Sequence, residues 1–191
     1  MVLVLCIGDL HIPHRAADLP QKFKELLKPG KIHSILCVGN VCNKTILDSL
    51  RAISGDLHVV QGDFDEFKSP EHLVVNIGEF RIGLTHGHQA IPWGNQEAVS
   101  QLQRQMDVDI LVTGHTHEYK AVKIGDRLQI NPGSATGAYH SYTQDVKPSF
   151  VLMDLDAGKA TVYVYQLVDG AVKVEKIEFV KPERPALLQP M

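Results

Sequence analysis

Three times in its first third the chain repeats one pattern, a short apolar run closed by Gly and then Asp or Asn. "VLVLCIGD" ends at Asp9, "SILCVGN" at Asn40 and "LHVVQGD" at Asp63. Between them lie segments with helical spacing, "LPQKFKELLKP" and "NKTILDSLRAIS". Continuous apolar runs alternating with helical ones are what a parallel sheet with crossover helices requires, so βαβ units are predicted. In open α/β sheets polar groups that bind ligands collect outside the carboxyl ends of the strands. Asp9, Asn40 and Asp63 are therefore expected along one edge. Asp18 reads as an N-cap with Gln21 in the capping-box position, Asn43 and Asn95 as caps of the second and third helices, and Pro29-Gly30 as the stop of the first.

The second half is richer in strands. "HLVVNIGEFRIGLTHG" reads as a hairpin around Gly78-Glu79, followed by "DILVTGH", "RLQINPG", "SFVLMDL", "ATVYVYQLV" and "AVKVEKIEFV". The predicted class is α/β, with two sheets and helices on their outer faces in a four-layer αββα sandwich. Residues 1–181 read as one domain and 182–191, "PERPALLQPM", as a disordered tail.

Composition narrows the function. The chain has 191 residues, 44% hydrophobic, enough for a full core. Its 19 Lys and Arg stand against 22 acidic residues, with no basic stripe, which argues against nucleic acid as a partner. Cys6, Cys37 and Cys42 are odd in number and sit in or beside apolar runs, which fits a reduced cytoplasmic setting. The first apolar run is followed at once by Asp9, and no stretch reaches the roughly 18 to 20 apolar residues of a membrane-spanning helix. Direct membrane insertion is not expected.

Chemistry is concentrated in five short segments, each after a predicted strand: "GDLH" (Asp9, His11), "VGNVC" (Asn40), "GDFD" (Asp63, Asp65), "THGH" (His86, His88) and "GHTH" (His115, His117). Together they offer carboxylate, amide and imidazole donors. That mixture suits Zn2+, Mn2+ or a similar ion, and roughly seven or eight donors are enough for two ions about 3.5 to 4 Å apart. His14 and His88 lie close enough in sequence to line the same pocket; His33, His58, His72 and His140 carry no spacing signal.

The order of these segments resembles the calcineurin-like metallophosphoesterases over residues 3 to 137. With "GDLHIPHR", "GDFDE", "IGLTHGHQAIPWG", "INPGSATGAY" and "PSFVLMDL", the likeness extends from residue 2 to about 180 to one branch of that family, the phosphoesterase-fold subunits of the retromer cargo-retrieval complex. The resemblance implies one metal on Asp9, His11, Asn40 and His117, and a second on Asn40, Asp63, His86 and His115. Asn40 stands where active members have a bridging Asp, and Asp63 where they have Asn, so a neutral group bridges and weak or partial occupancy by Zn2+ or Mn2+ is expected. Phe64 stands where active members have a His that donates a proton or steadies the phosphoryl transition state. A phenyl ring does neither, and such a group is commonly worth about 10²- to 10⁴-fold in rate.

What the resemblance implies is thus a scaffold with no catalytic residue, monomeric on its own and peripheral to endosomal membranes through its complex. The alternative is a Mn2+-dependent phosphodiesterase or phosphatase with a dinuclear site. The same likeness implies that the large helical-solenoid subunit covers the metal face at Ile91, Pro92 and Trp93. It also implies that regulators of endosomal GTPases dock on a separate patch of Leu3, Leu26, Leu152, Tyr163, Tyr165, Val172 and Val174. From the residues alone, Tyr163, Tyr165 and Leu167 share one strand face and Val162, Val164 and Val168 the other. In "AVKVEKIEF" the apolar positions change phase after Val174, which predicts a bulge or an exposed apolar end.

Overall fold

The computed structural model describes residues 1–182 and contains two sheets with helices on their outer faces. The first sheet begins with β1 (Val2–Ile7), α1 (Gln21–Leu26), β2 (Ser34–Cys37), α2 (Lys44–Ile53) and β3 (Leu57–Val59). β1, β2 and β3 run parallel, as the repeated apolar runs require. It is completed by β9 (Ser149–Asp156), β10 (Lys159–Val168) and β11 (Ala171–Val180), in the order β11-β10-β9-β1-β2-β3.

The second sheet contains β4 (His72–Ile77), β5 (Phe80–Thr85), β6 (Ile110–Val112), β7 (Tyr119–Ile124) and β8 (Arg127–Pro132), in the order β4-β5-β6-β8-β7, with α3 (Gln96–Met106) between β5 and β6. β4 and β5 form the expected hairpin at Gly78-Glu79.

Side-chain alternation sorts the core into two layers. Val4, Cys6 and Leu36 face inward onto Ile82, Leu84, Ile110, Val112 and Leu128 of the opposite sheet. Leu5, Ile7, Ile35 and Cys37 face outward, under Phe23 and Leu27 near the first helix and Leu47 and Leu50 of α2. Beneath α3 the contact is polar instead. Gln129 of β8 donates to Ser100 Oγ at 3.1 Å and Gln103 Oε1 at 2.9 Å, and Gln103 Nε2 reaches Leu128 O at 3.0 Å. Every one of these groups is buried and needs a partner.

Asn43 and Asn95 cap α2 and α3 through bonds from Ile46 N and Ala98 N. Asp18 does not cap α1. The N-cap is Pro20, and the Asp18 carboxylate accepts instead from Leu19 N at 2.7 Å and pairs with Lys24. The helix ends at Leu26 with Leu27 as C-cap, and Pro29, which keeps Lys28 out of the α region, bars its continuation beyond that point. β7 is an additional strand, joined to β8 by a tight turn at Gly125-Asp126. β11 has no bulge: its register with β10 is unbroken from Ala171↔Val168 to Val180↔Lys159. The phase change arises because Ile177 packs on the inter-sheet core and Phe179 lies within it, whereas Val172 and Val174 are on the outer face and Val174 is 51% exposed. Among the described residues no helix is long and apolar enough to cross a membrane. Residues 183–191 of the expected tail lie outside the described residues.

Phe150 shows how the outer layer holds. It is fully buried, edge-on to Phe23 at 4.7 Å and stacked on Tyr165 at 4.8 Å. Phe150→Ala is expected to lower unfolding free energy by about 3 to 5 kcal/mol, whereas Asn95→Ala, which removes one cap bond, costs about 1 kcal/mol. Urea denaturation of the three proteins checks the ranking.

Candidate metal centre

All five segments meet at one edge of the sandwich. Asp9 and His11 follow β1, Asn40 follows β2, Asp63 follows β3, His86 follows β5, and His115 and His117 follow β6. Asp9, His11 and His117 form one group and Asp63, His86 and His115 another, with the donor atoms of each group within 4.8 Å of one another. His11 Nε2 is 3.1 Å from His117 Nε2, and Asp9 Oδ1 is 3.5 Å from His117 Nε2. Asp63 Oδ1 is 3.0 Å from His86 Nε2.

Asn40 lies between the groups. Its Nδ2 donates to Asp9 Oδ1 at 3.2 Å and Asp63 Oδ1 at 2.9 Å, while its Oδ1 accepts from Phe64 N at 2.9 Å. To bridge two cations the amide would have to turn Oδ1 inward and give up the Phe64 bond. Gly62 is needed for this approach, since a Cβ there would come within 2.2 Å of Asn40 Oδ1.

The imidazoles are oriented by backbone carbonyls. Nδ1 of His86 lies 2.6 Å from Val38 O, and Nδ1 of His117 lies 2.6 Å from Ala138 O. Each carbonyl accepts from Nδ1–H, which turns Nε2 towards the site and its carboxylates, where a metal would have to displace any Nε2 proton to bind. His115 points Nδ1 towards Asp63, and its buried Nε2 has no partner among the described residues. Asp65 holds the loops themselves. Its carboxylate accepts from Asn40 N at 3.0 Å, Gly62 N at 2.8 Å and Cys42 N at 2.9 Å.

Electrostatics follow from this packing. Burial works to raise Asp9, but the hydrogen bond from His117 and the charges of His86, His117 and His11 bring it down to about 2. Asp63 is likewise opposed by burial and held far below the carboxylate range by His115, His86 and Asn40. Burial pulls His11 down to about 4 against the attraction of Asp9. For His86 burial acts downward, yet the hydrogen bond to Asp63 and the Asp9 charge leave it raised. Two anionic carboxylates with imidazole and amide donors fit a borderline divalent ion at each group, and Asp9, His11, Asn40, Asp63, His86, His115 and His117 are the residues that could hold such ions.

The rim is mostly apolar. Phe64 is half exposed, with its ring 5.4 Å from that of His11 and the Arg15 guanidinium 4.6 Å from its centroid. Ile91 is 74% exposed, Pro92 is exposed, and the Trp93 ring stands edge-on to His115 at 4.4 Å. His88 lines the pocket, 5.4 Å from His86 between ring centres. His14 does not; it is exposed opposite Glu66. Sequence reading missed His140, which is 92% buried with its ring 5.0 Å from His115 and 4.8 Å from His117. No spacing pattern marks it, because a separate loop brings it in. His33 and His72 have local partners in Leu3 N and Thr85 Oγ1, and His58 faces Asp56.

The second apolar patch lies on the outer face of β9-β10-β11. Leu152 opposes Tyr163, Tyr165 opposes Val174, and Leu167 opposes Val172, with Leu3 and Val172 packed at the edge of the outer core. Leu26 of α1 is 45% exposed.

A family model, the calcineurin-like phosphoesterase superfamily domain, matches residues 2–158. Vacuolar protein sorting-associated protein 29 of Schizosaccharomyces pombe is 45% identical over 187 residues, covering 95% of this chain and all of that one. The chain belongs to the Vps29 family of calcineurin-like phosphoesterases. The solved Vps29 of Cryptosporidium parvum superposes with a TM-score of 0.92 at 45% identity, covering 94% of this chain and 98% of that one. Vps29 of Entamoeba histolytica complexed with Zn2+ gives 0.88 at 50% identity, covering 93% and 99%. A Vps29 fold therefore accepts zinc in at least that relative.

Two outcomes are expected for metal binding here. Asn40→Asp should tighten Zn2+ or Mn2+ by about tenfold or more, because a carboxylate adds charge and can present oxygen to both groups. Affinity should fall as pH drops through the raised pKa of His86, whose proton the metal must displace, and be full above it; His11, held near 4, stays neutral over that range. Calorimetric titration at several pH values, with proton release on binding, checks both.

Proposed function

We propose that this chain is a non-catalytic scaffold subunit of retromer, the complex that retrieves membrane cargo from endosomes to the Golgi and the cell surface. It would act in the cytoplasm, peripheral to endosomal membranes. The observation that carries this reading is the exposure of Ile91 beside Trp93, directly on the histidines of the metal centre. Large apolar side chains grouped at the mouth of a polar pocket mark a protein-binding face. Its partner would be the large helical-solenoid subunit, seated over Ile91, Pro92 and Trp93, with any bound ions stiffening the loops beneath. Phe64 agrees with this role, since nothing at its ring can pass a proton to a leaving oxygen.

The outer face of β9-β10-β11 would serve regulators of endosomal GTPases. Leu3, Leu26, Leu152, Tyr163, Tyr165, Val172 and Val174 are all apolar or aromatic and at least partly accessible. The two faces are distinct, so they should be separable by substitution. Ile91→Asp is expected to abolish capture of a helical-solenoid protein while sparing regulators; Val174→Asp should do the reverse. Affinity capture from cytosol of the source organism, with retained proteins identified by mass spectrometry, reads both. Loss of neither class in either variant would sink the scaffold reading.

A second reading is favoured by the metal centre itself, whose two groups each bring three donor residues within 4.8 Å of one another. A Mn2+-dependent phosphodiesterase would use them to orient a phosphodiester, with bound ions supplying Lewis acidity and charge neutralisation. Hydrolysis of a model diester that disappears in His117→Ala would support it. Turnover that stays at background at high protein and Mn2+ concentration would end it.

A further inference from the structure

Among the described residues the two sheets end on β3, β4, β7 and β11, and all but β4 are defended against pairing with another chain. β3 is three residues long, β7 carries Lys120 and Lys123, and β11 carries Lys173, Glu175, Lys176 and Glu178. Short length and charged side chains are the usual ways in which natural sheets close their edges. β4, "HLVVNI", has six residues, no charged Lys or Glu and no proline. It has no bulge either, since its register with β5 runs unbroken from His72↔Thr85 to Ile77↔Phe80.

The turn at Gly78-Glu79 has two residues, so Ile77 and Phe80 exchange hydrogen bonds, and by alternation Val75 and Leu73 also bond to β5. His72, Val74 and Asn76 therefore turn their N–H and C=O groups away from β5. Among the described residues no other segment bonds to these three through the backbone. All three are exposed, and Val74, an apolar side chain, is 41% so. Its neighbour on β5 is Gly83, where a Cβ would come within 2.9 Å of Val108 Cγ2. The glycine that lets the sheet pack against this neighbour thus leaves Val74 with no cross-strand side chain beside it.

We propose that β4 pairs antiparallel with β4 of a second copy of this chain, about a two-fold axis through Val74, joining the two five-stranded sheets into one. The edge is complementary to itself, which favours a second copy over a foreign strand. In this register Val74 meets Val74 of the second copy, and His72 meets its Asn76, giving three hydrogen-bonded pairs that use every outward group. A slip of two residues loses a pair, and a slip of one sets outward groups against residues already bonded to β5. On the inner face Leu73 meets Val75 of the second copy, both packed on the inter-sheet core, and Glu71 meets Ile77, so no like charges oppose one another. Closure leaves no free β4 edge, and association stops at two.

The contact is small, so the dimer is weak and fills only as concentration rises. This departs from the monomer that the family likeness implies. The β9-β10-β11 patch belongs to the other sheet, and antiparallel pairing points the two metal centres, at the carboxyl ends of β5, in opposite directions. Both faces invoked above therefore stay free in the dimer.

The test is sedimentation equilibrium of the full chain over roughly 10 to 1,000 μM, the range in which a small interface dissociates. Wild type is compared with Val74→Lys and Val74→Glu, each alone and in equal mixture, after thermal melting of each. The average mass of wild type is expected to rise with concentration towards two chains. Each variant alone should associate about tenfold more weakly or less, because like charges meet on the axis, and the mixture should regain association. Amide exchange should slow with concentration at His72, Val74 and Asn76 and stay unchanged at Leu73 and Val75. A mass of one chain at every concentration would overturn the proposal. So would association that both variants leave intact, a mass that climbs past two chains, or exchange at Val74 that ignores concentration. Binding of an unrelated extended peptide to β4 without self-association would also overturn it, and would assign the edge to a foreign strand.

Discussion

The buried carboxylate of Asp9 is the constraint on which the site depends. It ends β1 with no exposed surface, and an isolated charge there would be prohibitively costly. Its compensation comes from elsewhere in the chain: His115 N at 2.9 Å on Oδ2, Asn40 Nδ2 on Oδ1, and the imidazoles of His11, His86 and His117 around it. These groups arrive from both sheets. One desolvated charge therefore fixes how the first sheet meets the second, since sliding either by one residue would strand it. Asp65 does for the loops what Asp9 does for the sheets, joining the ends of β2 and β3 through three backbone N–H groups.

Much of this was legible in the sequence, for local reasons. An apolar run closed by Gly and a polar residue states both a buried strand and its end, which placed Asp9, Asn40 and Asp63 together before any coordinates. Asn43 and Asn95 announce helix starts because a cap is a short-range bond. What was not legible depends on distant partners. Asp65 in "GDFD" could have faced anything; its three backbone donors come from segments more than twenty residues away and from its own turn. His140 is placed by tertiary contact, with no periodicity behind it. β7 was hidden because Lys120 and Lys123 break its apolar pattern, leaving only Gly125-Asp126 to suggest a hairpin. The phase change in β11 looked like a bulge because a single strand cannot reveal where the opposite sheet stops covering it. The division of the ligands into two groups and the meaning of Phe64 came from family resemblance, since neither is encoded in spacing.

Backbone strain separates what the site demands from what it omits. Asp9, His11, Asn40, His115 and His117 all have positive φ, between 48° and 72°, so five of the seven candidate ligands occupy the left-handed region. Asp, Asn and His tolerate that region better than other residues, but each still carries a cost, of order 1 kcal/mol, and persists only when its surroundings over-determine it. They do so here. Asp9 N bonds to Gly39 O, His11 N to Asn40 O and Gly114 N to His86 O, each linking one loop to another. The chain thus maintains a costly arrangement whose product is position: donors held at fixed points beneath an apolar rim. The phenyl ring of Phe64, at the mouth of this pocket, has no proton to give. A pocket held in place this way suits a docked surface or a held ligand. Rigidity also lowers what a partner must lose in ordering the loops when it binds.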